Sequence, residues 1–225
     1  MLINQIVKEI KKNQNKILSF RNNKKLKKDQ SFVSKSDIYI ESLVDKFLTK
    51  KIGKKNYFLL SEENYEKNKE LTHSMYIIVL DPIDGTENFV SGLKEWGISI
   101  SIYKNNIHYQ SCIYLPELDE ILKTGDKIKN FDSRIISLSS NNSKIINKFN
   151  KINEIRITGC CVYNIFNVIN GSFLSYDNPK SNVWDILAGI NIGIEHNLKI
   201  MVDGKKYDGK FLYPNKKYNI KIKKK

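Results

Sequence analysis

The chain has 225 residues, 40% of them hydrophobic, which is enough for one large domain or two closely packed subdomains. No apolar stretch approaches the roughly 18 residues that span a membrane, and three cysteines, Cys112, Cys160 and Cys161, make no disulfide framework, so a reducing cytoplasm is the expected setting. The formal net charge of +14 suits anionic partners, but the basic runs Lys24-Lys25-Leu26-Lys27-Lys28 and Lys221 to Lys225 lack interleaved aromatics, read as solvated faces and match no nucleic-acid-binding module.

The N-terminus lacks the layout of a signal peptide. Ile3, Ile6, Val7 and Ile10 have the i, i+3, i+4, i+7 spacing of a helix face. Asn22-Asn23 and the following lysines read as a loop, and Phe32-Val33 as a short extended piece. A second helix is expected from about Ser34, with Ile40, Leu43, Val44, Phe47 and Leu48 on one side and Gly53 ending it. Asp37 in its first turn reads by itself as the acidic end of a capping box begun by Ser34. Tyr57 to Leu60 reads as a strand followed by Ser61-Glu62-Glu63, and residues 64–74 as a polar loop.

Tyr76 to Leu80 is an apolar run with the pattern of a buried strand, and it leads into Asp81-Pro82-Ile83-Asp84-Gly85-Thr86-Glu87-Asn88-Phe89. Two carboxylates, Asp81 and Asp84, thus reach one tight turn. Pro82 holds Asp81 extended, and Gly85 lets the chain turn and leaves its N–H open to a ligand. Thr86 starts a short helix whose free N–H groups favour an anion. Such an arrangement suits a metal together with a phosphate.

Further along, Trp96 to Tyr103 alternates as a strand, Asn105-Asn106 turns, and Ile107 to Leu115 returns, with Glu120 to Lys123 as a third strand. Residues 124–133 are weakly patterned and divide the chain into expected subdomains 1–130 and 131–225. Arg134 to Leu138 reads as a strand, the stretch to about Phe149 as a helix, and Glu154 to Thr158 as another strand. Gly159-Cys160-Cys161 opens a helical stretch stopped by Gly171, with the two cysteines as small core residues at its start. Ser172 to Tyr176 reads as a strand. Asn178 to Trp184 leads to Asp185, where an apolar helix runs to about Glu195; Leu198 to Val202, the Asp203-Gly204 turn and a basic strand follow.

Strand–helix alternation with hairpins indicates an α/β or α+β layered fold, in which sites collect where strand ends meet helix starts. Glu62, Asp81, Asp84 and Asp185 all lie at such junctions. Four acidic groups brought together would repel one another unless a cation neutralised them. Hard oxygen donors imply Mg2+, with Mn2+ as an alternative, rather than zinc. His73, His108 and His196 show no metal-ligand spacing.

On these residues the chain resembles the inositol monophosphatase family, which also includes 3′-phosphoadenosine 5′-phosphate phosphatases and some fructose-1,6-bisphosphatases. The signature DPIDGTxNF stands at 81–89 and WDxxAG at 184–189; Ser61-Glu62-Glu63 and Val33 to Asp37 match two upstream motifs in the family's order. The resemblance implies an αβαβα sandwich of two packed subdomains, commonly a homodimer. It implies Glu62, Asp81, the Ile83 carbonyl, Asp84 and Asp185 as ligands of two or three Mg2+ ions. It implies Thr86 and Asp37, with Glu62, as the groups that activate water, and the N–H groups of Gly85 and Thr86 as a phosphate cradle. Cys161, Asn178 and Lys180 are the matching candidates for substrate contact.

The departures concern the substrate. Ser61 replaces a frequent glycine, and Cys160 stands where Ser or Thr is usual. Asn178, with Asp177 beside it, takes the place of a glutamate that binds inositol hydroxyls, while Lys180 could meet a second phosphate. The region 124–134 and the C-terminus are shorter than usual. The expectation is a Mg2+-dependent phosphatase acting on inositol 1-phosphate or a similar polyol phosphate, with lithium sensitivity implied by the resemblance. A 3′-phosphoadenosine 5′-phosphate phosphatase is the alternative, and a non-catalytic polyanion-binding protein the rival from another class.

Overall fold

The computed structural model describes residues 1–65, 74–140 and 154–224. Helix α1 (Leu2–Lys12) buries Ile3, Ile6, Val7 and Ile10, the residues at helical spacing. After the short α2 (Gln14–Ser19), β1 (Lys24–Leu26) and β2 (Phe32–Ser34) form an antiparallel ribbon. The lysine run expected as loop is therefore partly strand. Leu26 registers with Phe32, and Gln30 at φ 68° turns the chain between them. Helix α3 (Lys35–Ile52) begins in a capping box, in which Ser34 and Asp37 satisfy each other's backbone ends, and stops at Gly53 with φ 82°.

Strand β3 (Tyr57–Ser61) runs parallel to β4 (Tyr76–Asp84); after the one-turn α4 (Thr86–Val90) come β5 (Gly97–Lys104), β6 (Ile107–Leu115) and β7 (Glu120–Lys123), all antiparallel to their neighbours. The sheet order is β3-β4-β5-β6-β7. Successive residues of a strand face opposite sides. Ile78, Leu80, Ile98, Ile100 and Ile102 accordingly join a core with α1 and α3, while Ile77 and Val79 join the core on the other face. Both faces are covered, which is why β4 reads as a near-continuous apolar run, while β5 alternates isoleucine with small buried serines.

Residues 124–133, the expected boundary, carry the chain from this sheet to a second one. That sheet comprises β8 (Ile136–Leu138), β9 (Ile155–Arg156), β10 (Ser175–Ser181), β11 (Lys199–Val202), β12 (Lys205–Lys206) and β13 (Tyr218–Lys223), in the order β12-β11-β13-β10-β8-β9. Helices α5 (Cys161–Ile169) and α6 (Val183–Glu195) lie between the sheets and share one core with both. The described elements give an α/β sandwich with layers in the order α–β–α–β. The helix expected to about Phe149 falls on residues 141–153, outside the described residues.

Close approach of α6 to the first sheet depends on small residues. Ser99, Ser101 and Ser111 are buried on the face of β5 and β6 that meets it. Ser99 Oγ donates to the carbonyl of Trp184 at 2.9 Å, and a Cβ at Gly189 would come 2.4 Å from Ile165 of α5. Asn191, buried on α6, donates to the Tyr103 hydroxyl at 2.7 Å and accepts from Tyr207 at 3.0 Å, tying the helix to both sides of the seam. Asn191→Ala would strip these buried hydroxyls of a partner, which costs about 2 kcal/mol, or roughly 6 °C in Tm for a chain of this size. Thermal unfolding measures this, and an unchanged Tm would show that the network adds nothing.

Candidate metal centre and substrate cleft

The parallel register of β3 and β4 creates the centre. Ser61 sits opposite Leu80, and Glu62 N–H donates to the Leu80 carbonyl at 3.4 Å. The next residue of each strand is acidic, so Glu62 and Asp81 leave the sheet edge side by side. Strand β4 does not end at Leu80 as expected but continues through a bulge to Asp84. Asp81 faces Ser99 and Asp84 faces Gly97, so two residues, Pro82 and Ile83, stand against Ile98. Proline fits there because a bulge removes the need for its missing donor.

Asp185 arrives from α6. It is the third residue of the helix and completes a capping box by accepting from Asn182 N–H at 2.9 Å. Carboxylate oxygens of Glu62, Asp81 and Asp185 lie within 4.8 Å of one another. Asp81 Oδ1 accepts from Ile83 N–H at 3.1 Å, whereas Oδ2 is buried without a hydrogen-bond partner. An orphaned anionic oxygen among carboxylates is the environment that a hard cation satisfies, so the residues present fit a divalent ion.

Asp84 lines the same cleft but turns toward α5, where its carboxylate accepts from the Cys160 thiol at 3.0 Å and from the backbone N–H of Val162. Cys160 is the N-cap of α5, its sulfur accepting from Tyr163 N–H at 3.3 Å. A thiol at this position thus does what Ser or Thr does at a helix start. Gly85, at φ 81°, is required on two counts: the conformation is left-handed, and a Cβ there would lie 2.9 Å from Cys160 Cβ. Asn88 ties this corner together, donating to the carbonyls of Glu95 at 2.7 Å and Thr158 at 2.6 Å.

Thr86 Oγ1 donates to the Ile83 carbonyl at 2.9 Å. Asp37 is buried and accepts from Ser34 N–H at 2.8 Å and Ser34 Oγ at 2.6 Å. Among the described residues, no hydrogen bond joins Asp37 to Thr86. Asp37 is thus both a helix cap and a group within electrostatic reach of Glu63 and Glu62.

In the sequence Lys27 belongs to a lysine run that reads as a solvated face. Its ammonium instead reaches Glu62 at 2.8 Å and Glu63 at 2.7 Å, with little exposure on any of the three. Burial works against its charge, yet the two glutamates hold it well above the usual lysine range. A signal was present in the sequence: Leu26 and Phe32-Val33 flank the turn residues Asp29-Gln30 as a hairpin would, which aims Lys27 inward.

The cleft has a volume of about 350 Å³ and is lined also by Ser139, Cys161, Asn178, Lys180 and Lys217. Asn178 is buried and already occupied, donating to Tyr176 OH at 3.1 Å and accepting from Lys180 N–H at 3.1 Å. Asp177 lies on the other side of β10, near Lys221 at 3.7 Å. Strand β10 runs further than expected, through Pro179, which sits where the register against β13 shifts. Lys217, before β13, was not anticipated.

Fold and cleft together define a layered α/β protein with a buried carboxylate centre at the seam of two sheets. A sequence profile of the inositol monophosphatase family matches residues 2–142, more than half of the chain, and the chain belongs to that family. It is 30% identical over 132 residues to the fructose-1,6-bisphosphatase/inositol-1-monophosphatase of Thermotoga maritima, covering 51% of this chain and 52% of that protein. It is 28% identical over 130 residues to a 3′(2′),5′-bisphosphate nucleotidase of Haemophilus influenzae, covering 48% and 46%. The matched segments thus span about half the length of these relatives. Among solved structures, an IMPase/NADP phosphatase complexed with Mg2+ and phosphate superposes with a TM-score of 0.83 at 22% identity, covering 100% of this chain and 89% of that one. An IMPase of Thermotoga maritima gives 0.80 at 23%, covering 99% and 91%. At these identities the likeness is one of fold.

Burial raises the carboxylates of Asp81 and Asp185 well above the usual range, and their neighbours' charges add to it. Asp37 rises to about 7, mainly through burial, and Asp84 to about 6 through burial, against hydrogen bonds from Cys160 and Val162 that lower it. A raised carboxylate binds more protons folded than unfolded between its two pKa values, so stability falls as pH rises through that window. Protein stripped of divalent ions should therefore gain stability on acidification from about pH 8 to about pH 5.5, spanning the values of Asp37 and Asp84. Thermal scans with a chelator check this; a Tm that falls over the same range would contradict the electrostatics described.

Proposed function

We propose that the chain is a divalent-metal-dependent phosphatase of small phosphate monoesters. The observation that carries the reading is the convergence of Glu62, Asp81 and Asp185 within 4.8 Å, with a buried, unpartnered Asp81 oxygen, beside the left-handed Gly85. Glu62, Asp81, the Ile83 carbonyl, Asp84 and Asp185 would hold two or three Mg2+ ions, with Mn2+ able to substitute. Such ions, when bound, acidify water and screen phosphoryl oxygens.

The chain's own residues supply the rest. Thr86 keeps its hydroxyl proton on the Ile83 carbonyl, so its oxygen is free to accept from an attacking water. Asp37, with a pKa raised to about 7, suits a group that takes a proton near neutral pH. The N–H groups of Gly85 and Thr86 would receive the phosphate at the start of α4. The three cysteines are unpaired, and among the described residues no helix is long and apolar enough to cross a membrane. We take the working form to be a cytoplasmic, lithium-sensitive homodimer. The starting substrate is inositol 1-phosphate or a similar polyol or sugar phosphate, and 3′-phosphoadenosine 5′-phosphate is the alternative.

Activity should vanish in excess EDTA and return with Mg2+; full activity under chelation would end this reading. Thr86→Ala should lower kcat on the order of 100-fold while leaving the Mg2+ concentration for half-activation nearly unchanged, and Asp37→Asn should behave alike. Asp84→Asn should raise that Mg2+ requirement as well as lower kcat. Steady-state kinetics across a Mg2+ series separates the two patterns. Wild-type turnover in the Thr86 or Asp37 variant would remove that residue from water activation.

A further inference from the structure

The lysines of the last strand do not line the cleft, and strand pairing gives them a definite direction. In β13, Ile220 and Ile222 point into the core shared with α5 and α6, so Lys221 and Lys223 stand on the opposite face of the second sheet. Cross-strand partners share a face. Lys221 registers with Met201 of β11, and Met201 with Lys206 of β12, while Lys223 registers with Lys199 of β11. Four lysines thus form two adjacent rows around Met201, and all four are exposed. On β10, Asp177 and Ser175 continue the rows. Further along them Leu138 and Ile136 are buried, so the open part of the face is its β12-β11-β13 end.

This arrangement of charge costs the sheet stability. Lys199 and Lys223 are direct partners in an antiparallel ladder, where like charges are destabilising. Asp177 is the acid of these rows, and it comes no closer to Lys221 than 3.7 Å, with the lysine side chain 62% exposed. Among the described residues, Lys199, Lys206 and Lys223 make no ion pair. Lys216, outside the rows, does pair, with Asp203 at 2.7 Å. A lysine on the edge strand β12 also discourages pairing between sheets, but Lys221 and Lys223 belong to an inner strand, where that purpose does not apply. Strand geometry sets the four lysines on a fixed grid, about 4.8 Å across the ladder and about 6.8 Å along it, and gives the face a continuous positive field.

The chemistry of the face selects its partner. Neither row carries an aromatic side chain or an exposed large apolar one. A protein partner would want an apolar core to the contact. A bilayer anchor would want apolar groups to bury below the headgroups, and unpaired bases would want aromatic rings to stack on. The phosphates of a duplex ask only for cations, and contacts to them read no sequence. We propose that Lys199, Lys206, Lys221 and Lys223 form a docking face for double-stranded nucleic acid, held through its phosphate backbone without sequence preference. The face goes beyond the phosphatase reading and is independent of it, because it lies across the second sheet from α5 and α6 and none of its lysines lines the cleft.

The test is fluorescence anisotropy of a short, labelled DNA duplex without terminal phosphates, titrated with the full chain over a KCl series. Wild-type affinity should fall with salt, with a slope of log K against log salt of about −2.7 to −3.6, as three or four phosphate contacts give. A duplex of unrelated sequence should bind alike. Changing Lys199, Lys206, Lys221 and Lys223 together to Gln should weaken low-salt binding by roughly tenfold or more and flatten the slope. Lys199→Glu alone should weaken binding several-fold with a Tm no lower than wild type, since Lys223 then faces an opposite charge; thermal unfolding thus separates lost docking from lost folding. The control changes Lys8, Lys46, Lys50 and Lys51 of α1 and α3 to Gln, removing the same charge from another exposed surface, and should keep most of the affinity and the slope. Absence of salt-dependent duplex binding in the wild type, or equal losses in the two four-lysine variants, would overturn the face. Tighter binding to phosphatidylserine vesicles or to polyglutamate than to the duplex would overturn it as well, in favour of a lipid surface or an acidic protein.

Discussion

Carboxylates crowded into a buried place repel one another, and most of what surrounds this centre makes sense as an answer to that repulsion. Removing a charge from water costs several kcal/mol even after the protein relaxes, and a like charge nearby adds to the cost. Each acid has a local remedy. Asp84 receives a thiol and a helix N–H. Asp185 is held by its own helix end. Glu62 shares an ammonium with Glu63. Asp81 alone keeps an oxygen with no remedy, which marks it as the acid with most to gain from a cation.

The surrounding fold keeps those remedies in place. Trp96 Nε1 donates to Glu117 at 2.6 Å, and Glu117 also accepts from Arg21, whose guanidinium lies 4.8 Å over Phe89. This network braces α4 from below. Asn88 braces it from the side by reaching the chain before α5. The serine face of β5 and β6 lets α6 approach, and Asp185 with it. Precision at the centre therefore depends on residues that never touch a substrate.

Much of this was legible in the sequence because it rests on local rules. The helix faces of α1 and α3, the capping role of Asp37, the strand before Asp81 and the turn at Gly85 follow from spacing and backbone chemistry. What escaped depends on contacts between distant segments. Lys27 reads as one lysine in a run until β1 and β2 pair and turn it toward Glu62. Asn178 reads as an open polar group until Tyr176 and Lys180 are seen to occupy it. The bulge at Pro82 shows the same difficulty in small: a strand followed by proline looks finished, yet the ladder resumes at Asp84.

The shared register of β3 and β4 has a mechanical meaning. Two strands hydrogen-bonded in parallel cannot slide by a fraction of a residue; the smallest slip is a whole residue of about 3.3 Å, and it turns every side chain to the opposite face. The offset between Glu62 and Asp81 is therefore stepped rather than continuous. A weakened core at Leu60 or Val79 would lower the fraction of molecules in the native state without gradually prising these two carboxylates apart. In a population of damaged molecules, lost output would reflect how many copies hold the register, while each remaining native copy would keep the original geometry at this edge.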